Sequence, residues 1–186
     1  MSALFTSVDI TEEKMNKDAI ANLLNRKSCR QFTEDQIDSE KLDIILQCGT
    51  HAPTGRNAQS ALIVAVQDKE TRDRLSRLNA LGGDNDPFYG APTVVIVLGL
   101  KNGCTPFEDG CLIMGNMLNA AYACGLGGCF IHRARQMFET EEGKDLLTEW
   151  GITEEVFGIG CLILGNIKGE LHPDLERKPD YIRVIK

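Results

Sequence analysis

The sequence predicts a single domain that mixes helices and strands, and three observations carry that expectation. Helical and strand-like apolar patterns alternate along the 186 residues. No internal repeat, low-complexity run or linker divides them, so residues 1–186 form one domain. The composition, 42% hydrophobic and 25% charged, is that of an ordinary globular protein, and a chain of this length buries roughly 70% of its unfolded surface.

The elements follow in order. Ile20, Leu23 and Leu24 recur at helical spacing, so residues 16–27 are expected to be a helix started by Asn16 or Asp18. A second helix is expected at 39–49, with Asp38 or Ser39 as cap, Leu42, Ile45 and Leu46 on one face, and Gly49 as its stop. The apolar run 61–66 reads as a strand. Residues 69–79 read as a helix with Leu75 and Leu78 inward and Arg72 as a surface cation. Gly82-Gly83-Asp84-Asn85-Asp86-Pro87 is a loop by composition. The β-branched run 93–98 reads as a strand buried on both faces. A long helix at 107–124 carries the stripe Cys111, Met114, Leu118 and Tyr122, and Gly125 ends it. Strands are expected at 129–132 and 157–164, with short helices at 134–139 and 141–150 between them. Residues 181–185 read as a lone strand whose partner lies elsewhere, as in another subunit.

Totals exclude several functions. A net charge of −7 argues against a nucleic-acid partner, which needs a basic face. No apolar run is long enough to span a membrane. Seven cysteines with no C-x-x-C pair, and an opening stretch (residues 1–14) without an apolar run, point to free thiols in a reducing cytoplasm. The histidines His51, His132 and His172 are dispersed, so no metal site is expected. No G-x-S-x-G elbow supports a hydrolase, and no Gly-Lys-Ser/Thr phosphate loop is present.

Two short segments stand out against this background. Arg26-Lys27-Ser28-Cys29-Arg30 places three cations and a hydroxyl within five residues, a set suited to phosphate oxygens. Read alone, it is also what a solvated helix C-terminus looks like. Ala52-Pro53-Thr54-Gly55-Arg56-Asn57-Ala58-Gln59 joins a tight turn to amide side chains, which suits the polar edge of a flat ring. Read alone, it is an ordinary helix-to-strand loop. Gly125-Leu126-Gly127-Gly128 follows a helix and precedes a strand, the reverse of a dinucleotide fingerprint. Gly127 and Gly128 therefore suggest close backbone approach to a ring or another segment, or a helix cap. Arg177-Lys178 beside Pro179 adds two cations late in the chain. Cys29 sits inside the first motif, where a small buried filler is expected over a catalytic thiol.

Taken in order, these segments resemble the nitroreductase family of FMN-dependent NAD(P)H oxidoreductases. The matching residues are Arg26-Lys27-Ser28-Cys29-Arg30, Ala52 to Gln59, Ala91-Pro92, the helix ending Ala120-Ala121-Tyr122-Ala123-Cys124-Gly125-Leu126-Gly127, Gly165, and Arg177-Lys178. The resemblance implies an α+β fold, a three-layer α-β-α sandwich with a mixed central sheet, assembled as an intertwined homodimer with FMN at the subunit interface. It implies that Arg26, Lys27, Ser28 and Arg30, joined by Arg177 and Lys178, hold the phosphate and ribityl chain. Pro53, Thr54, Gly55, Asn57 and Gln59 would approach the flavin from the partner subunit. Gly127, Gly128 and Asn79 would lie near the ring. It implies no catalytic side chain: flavin N5 would take a hydride from NADH or NADPH and pass it to a nitroaromatic, quinone or similar small acceptor by ping-pong kinetics. Departures from the family pattern are Ser60-Ala61 in place of Pro-Trp, Gly127-Gly128-Cys129 in place of a Glu-Gly pair, and no extra helical lid. They leave the substrate open and keep a flavin-binding sensor or carrier as the alternative.

Overall fold

The computed structural model describes residues 16–173 and 176–186, so the leader reading of residues 1–14 lies outside them. Among the described residues six α-helices and four strands follow one another: α1 (Lys17–Asn25), α2 (Ser39–Thr50), β1 (Ala61–Val66), α3 (Lys69–Ala80), β2 (Thr93–Leu100), α4 (Pro106–Ala123), β3 (Gly127–Ile131), α5 (Ala134–Glu139), α6 (Glu141–Glu149) and β4 (Val156–Gly165). The strands form one sheet in the order β1-β2-β4-β3, and each neighbouring pair is antiparallel. The expected mixed sheet is thus antiparallel throughout its four strands, and the parallel pairing is confined to an isolated bridge between Ser28 and Gly128, on the outer side of β3.

The two central strands organise the layers. In β2, Val94, Ile96 and Leu98 point into one core, while Val95 and Val97 point into the other. In β4, Cys161 and Ile163 face the first core, and Leu162 and Leu164 the second. Period-two alternation with both faces apolar demands cover on both sides. Leu75 and Leu78 of α3, Met137 and Phe138 of α5, and Leu146 of α6 close the first core. Leu42 and Ile45 of α2, with Ile113, Met114 and Met117 of α4, close the second. The three-layer α-β-α sandwich is thus present.

Side-chain capping sets several boundaries. The carboxylate or amide oxygens of Asn16, Asp38 and Asp68 accept backbone N–H bonds at the starts of α1, α2 and α3. Gly49, expected to end α2, lies inside it, where a side chain would run into Met117 Cγ at 2.8 Å. The residue is small for helix contact rather than for termination. The buried stripe of α4 is Asp109, Gly110, Ile113, Met114, Met117 and Ala121. Of the expected stripe only Met114 lies in it, because α4 packs against both α2 and the sheet and buries a broader face than one row. The helix cap falls at Cys124, with the left-handed Gly125 (φ +74°) just beyond it, whereas Gly127 and Gly128 already belong to β3. Residues 181–185 form no strand pairing among the described residues, and their apolar side chains are 71–93% exposed.

Arg72, expected at the surface, is buried. Its Nε donates to the Ala91 carbonyl at 3.0 Å and an Nη atom pairs with Asp86 at 2.6 Å. Asp86 also accepts from Ser76 Oγ and from the Phe88 and Gly90 amides, so the 82–90 loop is tied down from within. Burial pushes the Asp86 carboxyl up, but these bonds outweigh it and hold it below the usual carboxylate range.

Gly158 tests the packing. It lies where the β2–β4 register shifts, and a methyl there would collide with the carbonyl group of Ala134, backbone that cannot rotate aside. Gly158→Ala is expected to cost about 1–3 kcal/mol of stability, read as a lower urea midpoint at unchanged slope. An unshifted midpoint would show that the collision is relieved without cost.

Candidate functional site

The first motif leaves α1 at Arg26, whose amide donates back to the Asn22 carbonyl at 3.1 Å. The chain then runs along the edge of β3. Ser28 bridges Gly128, and the Cys29 amide donates to the Gly128 carbonyl at 3.0 Å. Cys29 Sγ would lie 2.7 Å from any Cβ at Gly127, so only glycine permits this approach. Gly127 thus meets another chain segment, one of the alternatives that the sequence left open. Cys29 is buried, and burial pushes its thiol up, partly offset by its hydrogen bond with the Gln31 backbone; it fills space as an un-ionised thiol.

Beyond Cys29 the segment pairs with the chain that follows β4. Thr33 donates to the Asn166 carbonyl, Lys168 donates to the Gln31 carbonyl, and Phe32 bridges Ile167. A small cleft results, lined by Ser28, Arg30, Lys168 and His172 among others. Lys168 and His172 were not singled out by the sequence, because only the return of the chain after β4 brings them beside the motif. Arg26, Lys27 and Ser28 are half-buried and Arg30 is exposed, its guanidinium 5.8 Å from the centre of the Tyr89 ring. Neither Arg26 nor Arg30 has a carboxylate in ion-pair reach among the described residues. Arg177 and Lys178 are exposed, and the structure does not bring them into this cleft.

The second motif is shaped by one carboxylate. Asp109, 2% exposed in the first turn of α4, accepts from the Gly55 amide at 2.9 Å, Thr105 Oγ1 at 2.9 Å and Ser60 Oγ at 2.5 Å. Thr54 Oγ1 accepts from the Gln59 amide at 3.2 Å. Arg56, Asn57 and Gln59 hold φ of 55°, 55° and 49°, left-handed conformations that cost energy outside glycine. The side chains of Pro53, Asn57 and Gln59 are left exposed at the tip.

These two motifs are far apart within one chain. Ala61, just after the loop, lies opposite Gly99, which lies opposite Phe157; Gly127 lies opposite Gly165. The loop and the cationic segment therefore occupy diagonally opposite corners of the sheet, roughly 25–30 Å apart from strand spacing and rise. Asn79 is at neither. It is 1% exposed, and its amide donates to the His132 carbonyl at 2.7 Å, bracing the corner where β3 ends.

A third feature is an uncovered apolar face. No residue of α1 is buried, and Leu23 and Leu24 are 61% and 72% exposed. Leu23 borders a cleft of about 610 Å³ shared with Ile44 and Cys48 of α2 and Ala120 and Ala123 of α4. A nine-residue helix is marginal by itself in water. No group of histidine, cysteine, aspartate or glutamate side chains suited to a metal ion occurs among the described residues.

A sheet covered on both faces, with a cationic segment on one edge and a strained amide-bearing loop at the other, defines a layered α+β class. Residues 23–80 match the model of the Nitroreductase family. Over 61 residues the chain is 33% identical to the FMN reductase [NAD(P)H] of Bacillus subtilis (strain 168); that segment is 33% of this chain and 24% of the relative. An FMN-bound nitroreductase from Bacteroides fragilis NCTC 9343 superposes with a TM-score of 0.82 at 25% identity, over 91% of this chain and 100% of the other. An FMN-dependent nitroreductase from Clostridium difficile R20291 gives 0.78 at 24%, with 91% and 100% covered, and so shares the fold. The resemblance to the nitroreductase family therefore holds in sequence over the first motif, the second motif and α3, and in fold over nine-tenths of the chain.

Asp109 supplies the test of the loop. Burial pushes its carboxyl up, but the hydrogen bonds from Ser60, Gly55 and Thr105 outweigh this and hold it below the usual 3.8. Its folded-state value lies below the unfolded one, so its stabilisation is complete above the usual value and is lost as pH falls through the depressed folded value. Asp109→Ala, which strands three donors, is expected to cost at least about 2 kcal/mol at pH 7. Urea unfolding at pH 7 and pH 3 should show the wild-type advantage over the variant shrinking at the lower pH.

Proposed function

We propose that the chain is an FMN-dependent NAD(P)H oxidoreductase that works as a homodimer with two shared flavin sites. The observation that supports this reading best is the separation of the two motifs. Both are suited to parts of one phosphorylated, ring-bearing cofactor, yet one chain holds them at opposite corners. A second copy can set its 53–59 loop against the first copy's cationic segment. The bare face of α1, the apolar cleft beside it and the exposed apolar tail at 181–185 are the surfaces that such a partner would cover.

The residues fit the cofactor's phosphate. Arg26 and Arg30 lack carboxylate partners among the described residues, and Ser28 adds a short donor beside them. Lys27 joins them on this reading, and Arg177 and Lys178 would close on the phosphate from the tail once the dimer forms. Gly127 and Gly128 are buried against Cys29, Leu118 and Leu164, so on this reading they set where the cationic segment lies beside the ring rather than meet the ring themselves. Pro53, Thr54, Gly55, Asn57 and Gln59 would cover the ring's polar edge from the partner; Asn79 acts from behind by holding the His132 corner. When bound, FMN supplies hydride acceptance from NADH or NADPH and delivery to a small acceptor such as a nitroaromatic or quinone. The protein's part is to bind, orient and shield, and no side chain is assigned as obligatory acid or base. Donor and acceptor share one pocket in turn, which gives ping-pong kinetics. Seven unpaired cysteines are in keeping with a reducing cytoplasm.

The purified protein is expected to be yellow and to bleach anaerobically with NAD(P)H, giving parallel double-reciprocal plots. FMN that binds but stays oxidised would favour the sensor or carrier. Arg26→Ala should weaken FMN retention at least about tenfold, whereas Lys144→Ala, an exposed α6 residue paired with Glu141, should not. Subunit exchange tests the shared site directly. Mixing Arg26→Ala with Asn57→Ala protein should restore about a quarter of the sites, because half the dimers are mixed and each carries one intact site. No recovery above the two parents would place both motifs on separate functions.

A further inference from the structure

The strand β3 ends in a corner that the cationic motif does not reach. His132, Arg133, Arg135 and Gln136, with Phe107, Gly158 and Ile159, line a cleft of about 410 Å³. None of the seven is acidic, in a chain of net charge −7. Neither Arg133 nor Arg135 has a carboxylate in ion-pair reach among the described residues. Both are held in place by other means. Arg135 lies over the Phe157 ring, 5.0 Å from its centre. Arg133 donates to the Asn79 carbonyl at 3.4 Å, and its backbone is left-handed at φ 75°. Asn79 braces the same corner through the His132 carbonyl.

Strain of this kind at a non-glycine residue persists only where surrounding bonds over-determine it. Two anchored guanidinium groups keep their remaining donors for a ligand and lose little freedom on binding one. A planar fork matches paired phosphate oxygens. Phe107, 48% exposed on the rim, offers a ring face for a base. It sits two residues past Thr105, the residue that touches Gly55, so the cleft borders the loop proposed to cover the partner's flavin.

We propose that this cleft is an anion site that takes the phosphate groups of the pyridine dinucleotide donor, NADPH in preference to NADH because of the added phosphate. This rests on the flavoenzyme reading and identifies where that enzyme grips the remote half of its donor. Inorganic pyrophosphate carries the same chemistry without the ring.

The test uses FMN-saturated holoenzyme in low salt. Pyrophosphate should bind by calorimetry and inhibit competitively against NADPH. The Arg133→Gln/Arg135→Gln variant should lose both effects, keep its FMN absorbance per subunit, and raise the KM for NADPH roughly tenfold or more, with a smaller rise for NADH. Gln136→Glu, an exposed change that puts negative charge into the cleft, should weaken pyrophosphate binding in the same direction. Unchanged pyrophosphate binding in both variants would overturn the site. Lost pyrophosphate binding with an unchanged KM for NADPH would overturn the dinucleotide as its ligand. A protein that never oxidises NADPH would defeat the flavoenzyme reading instead, and the calorimetric comparison would still decide whether the anion site exists.

Discussion

Burial of β2 and β4 on both faces is the constraint from which the rest of the architecture follows. Five consecutive apolar residues, 94–98 of β2, are fully buried, and a strand in that condition must be covered by helices above and below. Helices then occupy both faces of the sheet, and little open surface remains there for a ligand. Chemistry is displaced to the edges. The outer side of β3 receives the cationic segment, and the approach to β1 carries the amide-bearing loop. Because the sheet order is β1-β2-β4-β3, those edges are as far apart as the sheet allows.

Electrostatics sharpens the picture. The chain is acidic overall, yet Arg26, Arg30, Arg133 and Arg135 lack acidic partners among the described residues. Net charge acts weakly beyond about 8–10 Å at physiological salt, so local clusters dominate their own surroundings. Among the described residues Arg56, Arg77, Arg177 and Arg183 lack acidic partners too, and two arginines are ion-paired. Arg72 with Asp86, and Arg74 with Glu149, are structural ion pairs. These two arginines hold the fold. Asp109 is the complementary case, a buried anion neutralised by donors from the loop rather than by a cation. Its hydrogen bonds offset the cost of three left-handed residues nearby.

Much of this was legible in the chain itself. The starts of α1 and α2 were readable because Asn16 and Asp38 cap through their own side chains, a local interaction. The strand at 93–98 was readable because an unbroken β-branched run has few other uses. Gly49 and the α4 stripe were misread because their roles depend on a neighbouring helix. Glycine against Met117 looks the same in sequence as glycine at a helix stop. Arg72 was misread for a like reason: its partner Asp86 lies 14 residues away across a loop, and helical periodicity cannot report burial by a loop.

The sequence by itself determined the element order, the layered α+β class and the two motifs, since propensity, capping and the ordered motif set are local properties. Tertiary structure decided where those motifs lie, that Asn79 braces a corner, and that Lys168, His172 and the Arg133–Arg135 cleft exist as neighbours at all. Those facts arise from strand order and register, which bring together residues distant along the chain, and pairwise distances of that kind leave no periodic trace in a single sequence.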